Sequence, residues 1–163
     1  MPITRAKKQE ILEELSRILE ESPTIAFVHF KGIPAAQERA MRRALREAGV
    51  RLRVAKKRLI ARALAERQFA GEMPTFEGEV AIAFGGDEIA PAREVAKAAK
   101  ALQSGELTLV GAVFEARYLS AQEAQALAAI PSRQELLAQL AFVLKSPIQR
   151  IAIALSEVAK QKA

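Results

Sequence analysis

The sequence predicts an α/β or α+β sandwich, two layers deep, with a C-terminal helix continuing beyond it. Three observations carry this. Short apolar runs rich in β-branched residues at Thr24–Phe30, Val50–Val54, Glu79–Phe84 and Leu107–Phe114 have the length and composition of strands, and helical periodicity fills the spaces between them. The chain has 163 residues, half of them apolar, enough for one well-buried domain and an appendage. From Ser132 onward the pattern is helical to the end, with an interruption expected at Ser146-Pro147. This divides the chain at residues 1–130 and 131–163.

Taken in order, Thr4 is placed to cap a helix from about Arg5 to Glu20, whose apolar face is Ile11, Leu12, Leu15, Ile18 and Leu19. Ser22-Pro23 closes it. The run from Thr24 to Phe30 is apolar at nearly every position and reads as a central strand. Lys31-Gly32-Ile33-Pro34 turns the chain into a second helix that ends at Gly49. Val50 to Val54 alternates strictly and predicts a half-buried strand with Arg51 and Arg53 on one face. A basic corner, Lys56-Lys57-Arg58, opens a third helix. Phe69 to Glu77 is a looser connection, and Glu79 to Phe84 is another buried strand. Pro91 opens an Ala-rich helix to about Gln103, with Val95, Ala99 and Leu102 inward. Leu107 to Phe114 is a strand with a bulge expected at Gly111. Ser120-x-x-Glu123 and Ser132-x-x-Glu135 are capping boxes that start two further helices.

Charge points to a partner. Arg39 to Arg67 holds eleven basic residues against two acidic ones, a balance of +9 in a chain whose formal net charge is +6. Arg39, Arg42, Arg43 and Arg46 fall within one wedge of roughly 100° on a helix, opposite Met41, Ala44, Leu45 and Ala48. A solvated helix face usually mixes both signs, whereas here acidic neighbours are sparse in the sequence and Arg outnumbers Lys. The planar guanidinium suits phosphate through paired hydrogen bonds, so a polyanion-binding surface is favoured over a merely solvated face. Residues 1–70 carry +8 and residues 71–163 carry −2, which suggests two different partners, nucleic acid for the first. With seven Phe, one Tyr and no Trp, stacking on single-stranded bases is not the obvious mode of contact.

Several functions find no support. There is no cysteine, hence no disulfide framework, thiolate nucleophile or Cys-based metal site. His29 is the single histidine and reads as a strand residue satisfied by its neighbours, so no catalytic residue, metal or cofactor is assigned. Gly85-Gly86-Asp87 lacks the continuation of a phosphate-binding loop. No apolar run approaches the ~20 residues that span a bilayer, and the start MPITRAKKQEI has no apolar signal core, so a cytosolic protein without membrane partners is expected.

The C-terminal helix carries a repeat. At an offset of eleven residues, Leu137 matches Ile148, Leu140 matches Ile151, Ala141 matches Ala152, Phe142 matches Ile153 and Leu144 matches Leu155. Eleven residues make almost three turns, so matched positions keep one bearing. Leu137, Leu140, Leu144, Ile148, Ile151, Leu155 and Val158 form one stripe, with Phe142 and Ile153 on the other side. Apolar residues on two sides suggest a helix gripped by a partner in two similar segments rather than an ordinary core helix.

The order of these motifs resembles the bacterial large-subunit ribosomal protein ten family, the base of the ribosomal stalk. The start MPITRAKKQEI, the stretch FKGIPAAQERAMRRALREAGVRLRVAKKRLIARAL, then FEGEVAIAF and the phrase LAAIPSRQELLAQL carry the resemblance over nearly the whole chain. It implies a ferredoxin-like α/β sandwich with a mixed sheet, bound to large-subunit ribosomal RNA beside a neighbouring RNA-binding stalk-base protein. It also implies a projecting C-terminal helix that holds dimers of a small acidic stalk protein, which recruit translation factor GTPases. Matched position by position, the resemblance implies that Arg5, Lys7, Lys8, Lys31, Gly32, Arg42, Arg43, Arg46, Lys56, Lys57 and Arg58 face RNA, and Arg53 on the basic strand face and Arg62 one turn after Arg58 are further candidates. Lys57 and Arg58 depart from the Asn and Thr or Ser usual after the lysine in this family. The two repeat segments predict two stalk dimers. A nucleic-acid-binding regulator that self-assembles through its C-terminal helix is the alternative.

Overall fold

The computed structural model describes residues 4–67, 69–102 and 104–162, apart from the side chains of residues 5, 148, 155, 158, 159, 161 and 162. The chain forms α1 (Arg5–Glu21), β1 (Thr24–Lys31), α2 (Ala35–Glu47), β2 (Val50–Val54), α3 (Lys57–Arg67), β3 (Val80–Gly85), α4 (Ala90–Ala101), β4 (Glu106–Phe114), β5 (Arg117–Leu119), α5 (Ala121–Ala128) and α6 (Arg133–Lys162). Two compact units result, 1–130 and 131–163.

The five strands lie in the order β2-β3-β1-β4-β5. Units β1-α2-β2 and β3-α4-β4 each skip one place in the sheet, and each gap is filled by a strand of the other unit. This is the interlocked split βαβ arrangement of a ferredoxin-like, α+β fold. All four pairings of the named strands are antiparallel, so the expected mixed sheet is corrected. The reason is topological: every strand inserted into a gap runs against both its neighbours. Among the described residues, parallel pairing is confined to an isolated bridge, Ala70 to Arg117.

A second correction concerns the layers. The first five residues of β1 are all buried, because this strand is covered on both faces. Ala26, Val28, Met41, Leu45, Val50, Val95 and Ala124 form the core on the side of α2, α4 and α5. Leu15, Leu19, Ile25, Phe27, Ile60, Leu64 and Ile82 form the other, under α1 and α3. The sandwich therefore has three layers, since α1 and α3 are additional to the split βαβ units. The continuous apolar run of β1 is what two covering layers require. Phe27 is fully buried and meets Phe76 edge-to-face at 5.1 Å.

The expected bulge lies at the Gly111 end of β4. Phe27 pairs with Gly111 and Val28 with Leu109, leaving Val110 as the extra residue. A Cβ on Gly111 would fall 2.8 Å from the Leu119 carbonyl oxygen, so glycine lets β5 close in. Both capping boxes form, Ser120 with Glu123 and Ser132 with Glu135. Thr4 stands at the N-cap of α1 with extended backbone, but its side chain makes no capping hydrogen bond. Gln103, the expected end of the fourth helix, lies outside the described residues, and α4 ends at Ala101. The interruption expected at Ser146-Pro147 is absent, and α6 runs through Pro147 as one helix of 30 residues. Proline forfeits one backbone donor, that to Val143, which a long helix absorbs at a cost of about 3 kcal/mol.

Candidate nucleic-acid interface and partner helix

The basic residues separate into two groups, each placed by an end of β2. The first gathers where β1 and β2 end and β3 begins. Lys8 from α1, Lys56, Lys57 and Arg58 from the β2–α3 junction, and Arg62 one turn into α3 line a single open cleft of about 880 Å³. Lys31, at the end of β1, and Gly32, with φ +65° in the following turn, are exposed. Among the described residues no ion pair joins Lys7, Lys8, Lys31, Lys56, Lys57 or Arg58 to an acid. Arg62 lies 3.6 Å from Glu66 across a solvated pair. Arg5 begins α1, and its side chain lies outside the described residues.

The second group lies along the free edge of β2, where Arg42, Arg46 and Arg51 line a small recess together with Leu52. Arg42 is already engaged. Its Nε donates to Glu38 at 2.9 Å, and another of its guanidinium nitrogens donates to the Leu52 carbonyl at 3.1 Å. It therefore ties α2 to the edge strand and occupies an outward carbonyl that another strand would use. Arg46 donates from Nε to the Arg42 carbonyl, and among the described residues it has no acidic partner. Arg43 reaches Glu47 at 3.0 Å, both largely exposed, a pair worth ~0–1 kcal/mol and easily opened.

Acidic partners are thus less sparse than the sequence suggests. Arg53 shares the strand face with Arg51, as alternation predicts, but its guanidinium meets Glu14 of α1. Arg67 pairs with Glu20. Glu14 and Glu20 lie far from the basic stretch in sequence, and Glu38 stands just before it, so local composition hides all three. Arg53 and Arg42 act first as ties within the fold. Arg51, read from the sequence only as half of a strand face, joins Arg46 at the recess.

On α6 the apolar residues are open. Leu137, Leu140, Phe142, Leu144, Ile151 and Ile153 are each 53–70% exposed. Leu136 and Val143, outside the predicted stripe, are exposed too and widen the apolar surface. Ile148, Leu155 and Val158 lie on the same helix, and their side chains are outside the described residues. So much exposed aliphatic surface on one helix marks an interaction surface. Among the described residues no helix is long and apolar enough to cross a membrane.

The model of the family described as ribosomal protein L10 matches residues 3–100, and that of the ribosomal protein uL10 C-terminal region matches residues 130–163. The chain belongs to the ribosomal protein L10 (uL10) family. Relatives named large ribosomal subunit protein uL10 agree over almost the full length. That of Shouchella clausii is 40% identical, covering 96% of this chain and 93% of its own. That of Pelotomaculum thermopropionicum is 32% identical, covering all of this chain and 98% of its own. That of Rhodospirillum rubrum is 33% identical, covering 92% and 86%. A uL10 protein is a structural component of the large subunit of the cytoplasmic ribosome, and the family is not one of enzymes.

Proposed function

We propose that residues 1–130 attach this uL10 protein to large-subunit ribosomal RNA and that residues 131–163 anchor dimers of a small acidic stalk protein. The observation that carries the reading is a division of surfaces. Among the described residues, cations without acidic partners are gathered in the first unit, and exposed aliphatic surface is gathered on α6. Lys8, Lys31, Arg46, Lys56, Lys57 and Arg58 take phosphates directly. Arg43 and Arg62 do so after leaving their solvated glutamates, while Lys7 and Gly32 flank the contact. Phosphate contacts displace counterions and position the domain by shape. A neighbouring RNA-binding stalk-base protein shares the RNA.

Each half of the eleven-residue repeat presents its aliphatic face to one dimer as a helix held in a groove. Two segments hold two dimers, a complex of five chains, and the dimers recruit translation factor GTPases. A native mass spectrum of the complex co-expressed with its acidic partner tests the count: four acidic chains are expected, and six would overturn it. Replacing Leu140 and Ile151 together by Asp should remove the dimers and leave RNA affinity within about two-fold. Loss of both activities together would contradict the division.

A further inference from the structure

The cleft at the end of the sheet has a composition that phosphate binding alone does not require. Its rim is mainly cationic: Lys8, Lys56, Lys57 and Arg58 have no acidic partner among the described residues, and Glu79 is the acid that lines the cleft with them. Its floor is apolar. Phe30 from the end of β1, Val54 from the end of β2, Leu59 from the first turn of α3 and Val80 from the start of β3 all line it. These residues meet because the register places Val54 opposite Ala81 and His29 opposite Val80, so three strand ends coincide. Val54 remains 43% exposed there, although Val50 on the same face of β2 is fully buried. The backbone at Gly78 closes one side. A Cβ there would fall 2.5 Å from Nε2 of His29, so a side chain at this position would have to displace the imidazole.

An anion held only by lysine and arginine is served by a flat, wet, charged surface. A recess about 880 Å³ in volume with aliphatic and aromatic walls beside a cluster of cations suits a ligand with one apolar flat face and an attached anion. Among RNA elements, that is a nucleotide turned out of its stack, its base over Phe30 and Val54, which share one face of the sheet, and its flanking phosphates on Lys56, Lys57 and Arg58. Bases inside a continuous helix cannot present this face.

Resting on the RNA-binding reading above, we propose that the cleft lined by Phe30, Val54, Leu59 and Val80 receives one unstacked nucleotide of the bound RNA. The site adds a local stacking contact to attachment that is otherwise made to phosphates. It also locates the bound RNA at a loop, bulge or strand junction rather than along regular duplex.

The test uses the full chain, purified large-subunit ribosomal RNA and two variants. The protein has no tryptophan, so Val54→Trp at the exposed floor position supplies a single indole reporter. Its emission should be quenched by the ribosomal RNA and by a single-stranded adenine dodecamer, and left unchanged by a perfectly paired RNA duplex of the same length. Phe30→Leu keeps apolar bulk and removes the aromatic face. It should weaken ribosomal RNA binding on the order of ten-fold without changing the salt dependence, because no phosphate contact is lost. Unquenched emission on bound ribosomal RNA, or unchanged affinity in Phe30→Leu, overturns the nucleotide site while leaving phosphate attachment standing. Failure of the wild-type chain to bind the RNA at all overturns the attachment reading itself.

Discussion

Replacing Lys56, Lys57 and Arg58 together by Ala probes the difference between cations that are free to meet phosphate and cations held within the fold. All three are exposed at the β2–α3 junction and have no acidic partner among the described residues. Each phosphate contact contributes about 0.7–0.9 to the slope of log K against log salt, so losing three should flatten the slope by ~2–2.7. Across a four-fold rise in salt, from ~50 to ~200 mM, that corresponds to about 20- to 40-fold less affinity loss in the variant than in the wild type. Arg53→Ala is the control. Its guanidinium meets Glu14, and both side chains are nearly half exposed, so the variant should lose only ~0–1 kcal/mol of stability and keep the wild-type slope. Fluorescence anisotropy with large-subunit ribosomal RNA over a salt series reads both. The reasoning is refuted if Arg53→Ala flattens the slope as much as the triple variant, or if the triple variant leaves it unchanged.

Other consequences follow from individual positions. Gly78→Ala places a Cβ 2.5 Å from Nε2 of His29 at a φ of +63°, and the left-handed backbone alone should cost about 1–2 kcal/mol, read as a lower Cm in urea. Phe27→Ala empties the centre of the buried strand and should cost ~3–5 kcal/mol in the same assay. Pro147→Ala restores a backbone donor inside α6, so mean helicity by circular dichroism should rise and helix stability increase by up to ~3 kcal/mol. The Ser120 backbone N–H, followed by the Ser120 hydroxyl, holds the Glu123 carboxyl below its ordinary range. Because the folded value is depressed, this stabilisation is complete above the ordinary value of about 4.3 and fades as pH falls through the folded one. The difference in melting temperature between wild type and Glu123→Gln should therefore shrink from pH 7 to pH 3.

The elements that the sequence made legible are those whose pattern is set by burial within the element itself. The run from Thr24 to Val28, apolar after its first residue, predicts a central strand, and the alternation of β2 predicts one face of arginines. The three-layer arrangement was implicit in that run, but which helices supply the second layer depends on long-range packing of Leu15 and Leu19 with Ile60 and Leu64. Strand β5 gave no signal. It has three residues, and its hairpin turns through Glu115 and Ala116, both at positive φ, where Gly or Asn is the usual cue. Pro147 misleads because a helix of 30 residues tolerates one missing donor.

The candidate interface was legible as charge and not as geometry. Counting residues between Arg39 and Arg67 finds the cations. It cannot find Glu14 and Glu20, which reach Arg53 and Arg67 only after α1 has folded against its neighbours. Nor can it divide the cations into an edge group with Arg46 and Arg51 and a cleft group with Lys56, Lys57 and Arg58. The apolar surface of α6 was read more fully, since a helical stripe is a local property. Leu136 and Val143 enlarge it beyond the eleven-residue match.

On the proposed function, one chain joins ribosomal RNA to acidic dimers through separate surfaces. Immobilised large-subunit ribosomal RNA, the full chain and a labelled small acidic stalk protein test it in a single retention measurement. The label should stay on the RNA only when the chain is present, and Leu140→Asp with Ile151→Asp should release the label while the chain remains bound. Retention of the acidic protein without the chain, or a chain that releases one partner on taking the other, would contradict it.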